Sequence, residues 1–115
     1  MITTKEARTF ALSFEEVTEE PHFSRTSFRI RKRIFATLDE AQNQMIVKLT
    51  PVQQVAFGGY NPAAIYPVPG NWGKQGYTVL ELTKVRKDMF RDAVTTSYCN
   101  TAPKKLGDKY RLIEE

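Results

Sequence analysis

Between Phe28 and Leu49 the sequence alternates apolar and polar side chains in three successive runs. Phe28 and Ile30 alternate with Arg29 and Arg31. Ile34, Ala36 and Leu38 carry the pattern on, and Met45, Val47 and Leu49 repeat it with Lys48 facing the other way. A period of two marks strands with one buried face. The connections between the runs are too short for crossover helices, so neighbouring strands are antiparallel. The turn near Lys32 has no glycine, which leaves its type open, and Asp39 to Gln44 reads as a second hairpin loop. A chain built on such a sheet needs helices to cover its apolar side.

Those helices are legible from their ends. Thr3 and Glu6 have the spacing of a capping box, and Ala7, Phe10, Ala11 and Phe14 follow at helical intervals. Thr50-Pro51-Val52-Gln53 puts a cap residue, a proline at the first helical position and a capping-box glutamine in order. Gly58-Gly59 stops that helix early. Tyr60 to Gly76 reads as a long ordered loop with a short strand around Ile65 to Val68. Thr78, Leu80 and Leu82 form the buried side of a last strand. A final helix spans about Val85 to Thr101, with Met89, Phe90, Ala93, Val94, Ser97 and Tyr98 as its buried stripe. The expected order is α-β-β-β-α-β-β-α, an α+β fold: a two-layer α/β sandwich with a mostly antiparallel sheet and helices on one face.

The chain has 115 residues, the size of one domain, and 41% of them are hydrophobic against 26% charged, which argues against disorder. Its single cysteine, Cys99, allows no internal disulfide. The first residues lack the basic and apolar regions of a signal peptide, and no apolar run reaches the roughly 20 residues of a membrane span. The expected location is the cytoplasm, without membrane association.

The net charge of +4 is modest, but its distribution is uneven. Glu15 to Glu20 holds four glutamates in six positions. That run is expected at the end of the first helix and in the loop before Pro21. Ser24 to Leu38 carries Arg25, Arg29, Arg31, Lys32 and Arg33 without an acid, and from Ala41 to Leu80 the only charges are Lys48 and Lys74. A cationic centre favours polyanionic partners.

Several fragments occur in a fixed sequence: Pro21-His22-Phe23, Ser27-Phe28-Arg29, Ile34-Phe35-Ala36-Thr37-Leu38, Val47-Lys48-Leu49 leading into Thr50-Pro51, Pro67-Val68-Pro69-Gly70-Asn71-Trp72-Gly73, Gly76-Tyr77-Thr78 and Ala102-Pro103-Lys104-Lys105-Leu106. In this the chain resembles the MmcQ/YjbR-like proteins, over nearly its whole length. Tyr77 stands where many members carry tryptophan. The resemblance implies a fold similar to CyaY and to type III secretion chaperones. It also implies a DNA-binding role through a proposed double-wing motif, with DNA rather than RNA as the partner.

Read as chemistry, Arg29, Arg31, Lys32 and Arg33 could form a phosphate-binding stripe with Lys48, since alternate strand residues sit about 7 Å apart. They could equally be a solvated sheet face. Trp72, beside Lys74, could stack on a base or anchor its loop against the core. Lys104 and Lys105 could grip phosphate or offset a helix dipole. His22, the only histidine, suits packing, because a metal site needs several ligands. Cys99 falls beside the buried stripe and reads as an inert thiol. No acid pair, triad or glycine-rich phosphate loop stands out, so neither an enzyme nor a cofactor is expected. The expectation is a nucleic-acid-binding monomer or weak dimer. A protein-interaction or chaperone-like module is the alternative. An iron- or small-molecule-binding role, implied by the similarity to CyaY with Glu15 to Glu20 as its acidic run, ranks below both.

Overall fold

The computed structural model describes residues 1–111. Its elements are α1 (Thr4–Leu12), β1 (Val17–His22), β2 (Arg25–Ile30), β3 (Arg33–Asp39), β4 (Gln44–Lys48), α2 (Pro51–Gly58), β5 (Ile65–Pro67), α3 (Asn71–Lys74), β6 (Tyr77–Glu81), α4 (Lys87–Thr101) and α5 (Lys104–Gly107). The six strands form one antiparallel sheet in the order β1-β2-β3-β4-β6-β5. The α+β two-layer architecture is therefore as expected, with one strand and two single-turn helices more than the sequence suggested.

The additional strand is β1. The acidic run does not trail off a helix: Val17 to His22 pairs with Arg25 to Ile30 at the edge of the sheet. Four of its six residues are exposed, so no alternation betrays it. Glutamates and Pro21 suit an edge, where they discourage pairing with another chain and where a missing N–H does no harm.

Both capping boxes form as the sequence dictates. Thr3 and Glu6 exchange hydrogen bonds, as do Thr50 and Gln53. Helices α1 and α4 then cover one face of the sheet. Phe28, Ile30, Leu38, Met45, Val47 and Leu80 lie beneath them, each at most 1% exposed. An aromatic cluster closes the layer: Phe14 stacks on Tyr98 at 4.6 Å, and both meet Phe35 edge-on. Burial pushes the Tyr98 phenol up to about 12, while its hydroxyl donates to the Glu15 carbonyl.

Phe35 is the extra residue of a bulge: Phe28 faces Ala36, but Arg29 already faces Ile34. The β3–β4 ladder ends at Ala36 and Val47, so Phe35 and Lys48 would be the next pair. The Ser97 hydroxyl of α4 stands between them. It donates to the Phe35 carbonyl at 2.6 Å and accepts from the Lys48 N–H at 2.8 Å. Asn100, one turn on, donates to the Lys48 carbonyl and to Gln53.

Replacing Ser97 by Ala should destabilise the fold by about 2–5 kcal/mol, since it strands a buried carbonyl and a buried N–H at once. Asp92→Ala, on the exposed side of the same helix, should stay within about 0.5 kcal/mol. Urea unfolding midpoints check both.

Candidate nucleic-acid interface

The strand register sorts the open face of the sheet into two ends. At one end lie the β2–β3 turn, the end of β4, and α3 with the start of β6. At the other lie the β1–β2 turn, the β3–β4 loop and Glu81. Arg29, Lys32, Arg33, Lys48, Trp72 and Lys74 all fall at the first end. Ser97 and Asn100 fix the C-terminal part of α4 there too, so Lys104 and Lys105 follow from the same end of the molecule.

The β2–β3 turn is strained. Ile30 pairs with Arg33, leaving a two-residue loop of Arg31 and Lys32 at φ 49° and 72°. This is the type I′ geometry, which matches the sheet twist and strongly prefers Asn-Gly. Two long cations occupy it instead. They do not act alike. Arg31 is paired with Glu16, its Nε and Nη2 at 3.1 and 3.3 Å from the two carboxylate oxygens. That hydrogen bond holds the Glu16 carboxyl below its ordinary range and the guanidinium above its own. Arg31 therefore does not line up with Arg29 and Lys48 as a free charge. Lys32 and Arg33 are exposed, with no ion pair among the described residues.

On the strands, Arg29 lies over Ser27, its Nε donating to the hydroxyl at 3.0 Å. Lys48 Nζ sits 4.2 Å from the centre of the Tyr77 ring, a cation–π contact. Trp72 meets the same ring edge-on at 5.3 Å and is 60% exposed. Trp72 is thus no anchor in the core. Its loop is held by other means: Gln54 of α2 donates toward the Gly73 and Tyr77 carbonyls and the Thr78 hydroxyl. Gly73 and Gly76 allow the close approach, because a Cβ there would fall 2.0 Å from the Val68 carbonyl oxygen and 1.7 Å from that of Leu49. Lys104 is paired with Asp108 at 3.0 Å, and Lys105 is exposed.

Between these groups the open face is concave. A cleft of about 440 Å³ is floored by Ile34, Thr37 and Ile46 and walled by Val68, Trp72 and Tyr77. Lys48, His22 and Arg25 also line it. Arg25 is absent from the expected stripe, although its two-residue offset from Ser27 and Arg29 puts it on their face. Its Nη1 is buried without a hydrogen-bond partner among the described residues, and Asp39 lies 3.8 Å from Nη2. At the far end Tyr66 donates to Glu81, and that bond pushes its phenol up to about 12.

A larger depression, about 600 Å³, runs between α1 and α4 on the helical side of the sheet, beside Asp92, Thr95, Thr96 and Cys99. Burial raises the pKa of the Cys99 thiol, which donates to the Gly107 carbonyl at 3.4 Å, so it is no activated nucleophile. Among the described residues no group of three metal-ligating side chains converges, and no helix is long and apolar enough to cross a membrane.

A family model described as YjbR matches residues 12–100. The crystal structure of Deinococcus radiodurans protein DR2400, with domain DUF419, superposes with a TM-score of 0.78 over 98% of this chain and 91% of that one, at 17% identity. That likeness concerns the fold. No curated protein matches the chain.

Trp72 is the chain's single tryptophan, which makes the site optically addressable. Iodide should quench it efficiently at low ionic strength, drawn in by Lys48 and Lys74. The quenching should fall as added salt shortens the Debye length to about 3 Å at 1 M, while neutral acrylamide quenches equally at both salts. Salt-independent iodide quenching would mean that no positive potential surrounds the indole.

Proposed function

This chain belongs to the YjbR family, and from that premise we propose that it binds nucleic acid, DNA in the first instance, through the cations at the hairpin end of its sheet. Arg29, Lys32, Arg33, Lys48 and Lys74 are the phosphate ligands, with Lys104 and Lys105 extending the surface. It acts by binding, without catalysis.

The observation that carries this reading is the β2–β3 turn. A left-handed backbone at a non-glycine residue costs free energy, and the Asn-Gly pair that would relieve it is the common solution. Arg31 and Lys32 hold the strained positions, which accords with a demand for charge at the tip. Arg31 is partly spent on Glu16, leaving Lys32, Arg33 and the strand cations to neutralise phosphates. About four such contacts would give a log–log salt slope near −3 to −4, or roughly a hundredfold loss of affinity between about 50 and 200 mM salt.

Fluorescence anisotropy of labelled oligonucleotides across that salt range tests the slope. Replacing Arg31-Lys32 by Asn-Gly should raise Tm by a few degrees and weaken binding several-fold, a separation of stability from function. Absent binding at low salt, or binding indifferent to salt, excludes the phosphate mechanism.

A protein-interaction role is the second reading, and Phe23 favours it. It stands 95% exposed on the β1–β2 turn at φ 58°, at the end of the sheet opposite Lys32 and Lys48. That reading predicts a concentration-dependent dimer in sedimentation that Phe23→Ser abolishes.

A further inference from the structure

We infer that the nucleic acid held at this site is single-stranded, and that one of its bases leaves the strand to lie in the open-face cleft against Trp72 and Tyr77. The inference rests on the nucleic-acid reading above and narrows its substrate class.

The cleft is concave and largely aliphatic at its floor, with aromatic rings along one wall. Duplex DNA presents phosphates and groove edges, while its base faces are stacked away inside, so it has nothing flat and apolar to offer such a surface. An unpaired base has two such faces. The size of the cleft, about 440 Å³, lies in the range that encloses small planar ligands.

The charges on its rim suit a strand lying across it. Lys48 stands at the Tyr77 wall and Arg25 beside His22, so both cations on the rim can meet backbone phosphate. Arg25 adds a second feature. Its Nη1 is buried and lacks an acceptor among the described residues. A buried unsatisfied donor is costly. A ligand that draws the Arg25 side chain, 28% exposed, toward the cleft would give that donor an acceptor. Trp72, 60% exposed and braced by the edge of Tyr77, is free to stack. The strained turn supplies further cations just beyond the cleft, where the adjoining nucleotides would run.

The test uses two readouts on the full chain. Anisotropy of labelled oligothymidylate, oligouridylate and a hairpin duplex of equal length reports binding anywhere. Quenching of Trp72 fluorescence reports occupation of the cleft. Single strands should bind about tenfold more tightly than the duplex and quench Trp72 strongly. Trp72→Ala should cost single-strand affinity about tenfold and leave duplex affinity unchanged, with Trp72→Phe restoring most of the loss. Because the indole is exposed, the variant's fold is readily checked by circular dichroism. Equal affinity for duplex and single strand without Trp72 quenching overturns this inference while the nucleic-acid reading stands. Absence of binding to all three at low salt overturns both. Preference for the thymidylate or uridylate strand, with quenching, supports the inference and identifies DNA or RNA as the source.

Discussion

The hydroxyl of Ser97 is the interaction on which the cationic end of this molecule depends. It occupies the place where β3 and β4 would otherwise continue their ladder, joining the Phe35 carbonyl to the Lys48 N–H from the side of a helix. From it a chain of hydrogen bonds runs outward. Asn100 ties the Lys48 carbonyl to Gln53, Gln53 caps α2, and Gln54 of the same helix holds the Gly73 and Tyr77 carbonyls. Lys48, Trp72 and Tyr77 thus owe their positions to one polar network, buried at its origin and exposed at its end. Each member lost would leave another unsatisfied, so the network specifies its geometry more strictly than apolar packing alone would.

Much of this was legible in the residues. The alternation from Phe28 to Leu49 fixes three strands and the face of most of their side chains, and the Thr3 and Thr50 caps fix two helix starts; Ile34, expected beside Ala36 and Leu38 on the buried face, is turned to the open face by the bulge at Phe35. What escaped has physical reasons. β1 is an edge strand whose outward charges erase the period of two. The type I′ turn hides because Arg31 and Lys32 are not turn residues by composition. The Glu16–Arg31 pair joins residues adjacent only through the β1–β2 pairing, which cannot be placed without β1. Trp72 was open to two readings because glycines beside a ring serve either purpose. Here they let the backbone pass close to Val68 and Leu49 while the indole stays outside.

Charged and strained groups border the open face at both of its ends. A fold of this size is stable by only about 5–15 kcal/mol, so a left-handed Arg-Lys turn and a buried guanidinium nitrogen without an acceptor are appreciable concessions. Both border the open-face cleft or its hairpin rim. In the opposite layer the aromatic rings interlock, and the Ser97 and Tyr98 hydroxyls are hydrogen-bonded.

The most direct measurement of where contact occurs is a two-dimensional amide NMR titration with a short single-stranded oligonucleotide. The account predicts shift changes confined to the cationic end and the cleft, at Arg25, Arg29–Ile34, Thr37, Ile46, Lys48 and Trp72–Tyr77, with the Trp72 indole N–H among the largest. Changes centred on α1 and the outer side of α4, with Trp72 unmoved, would contradict it.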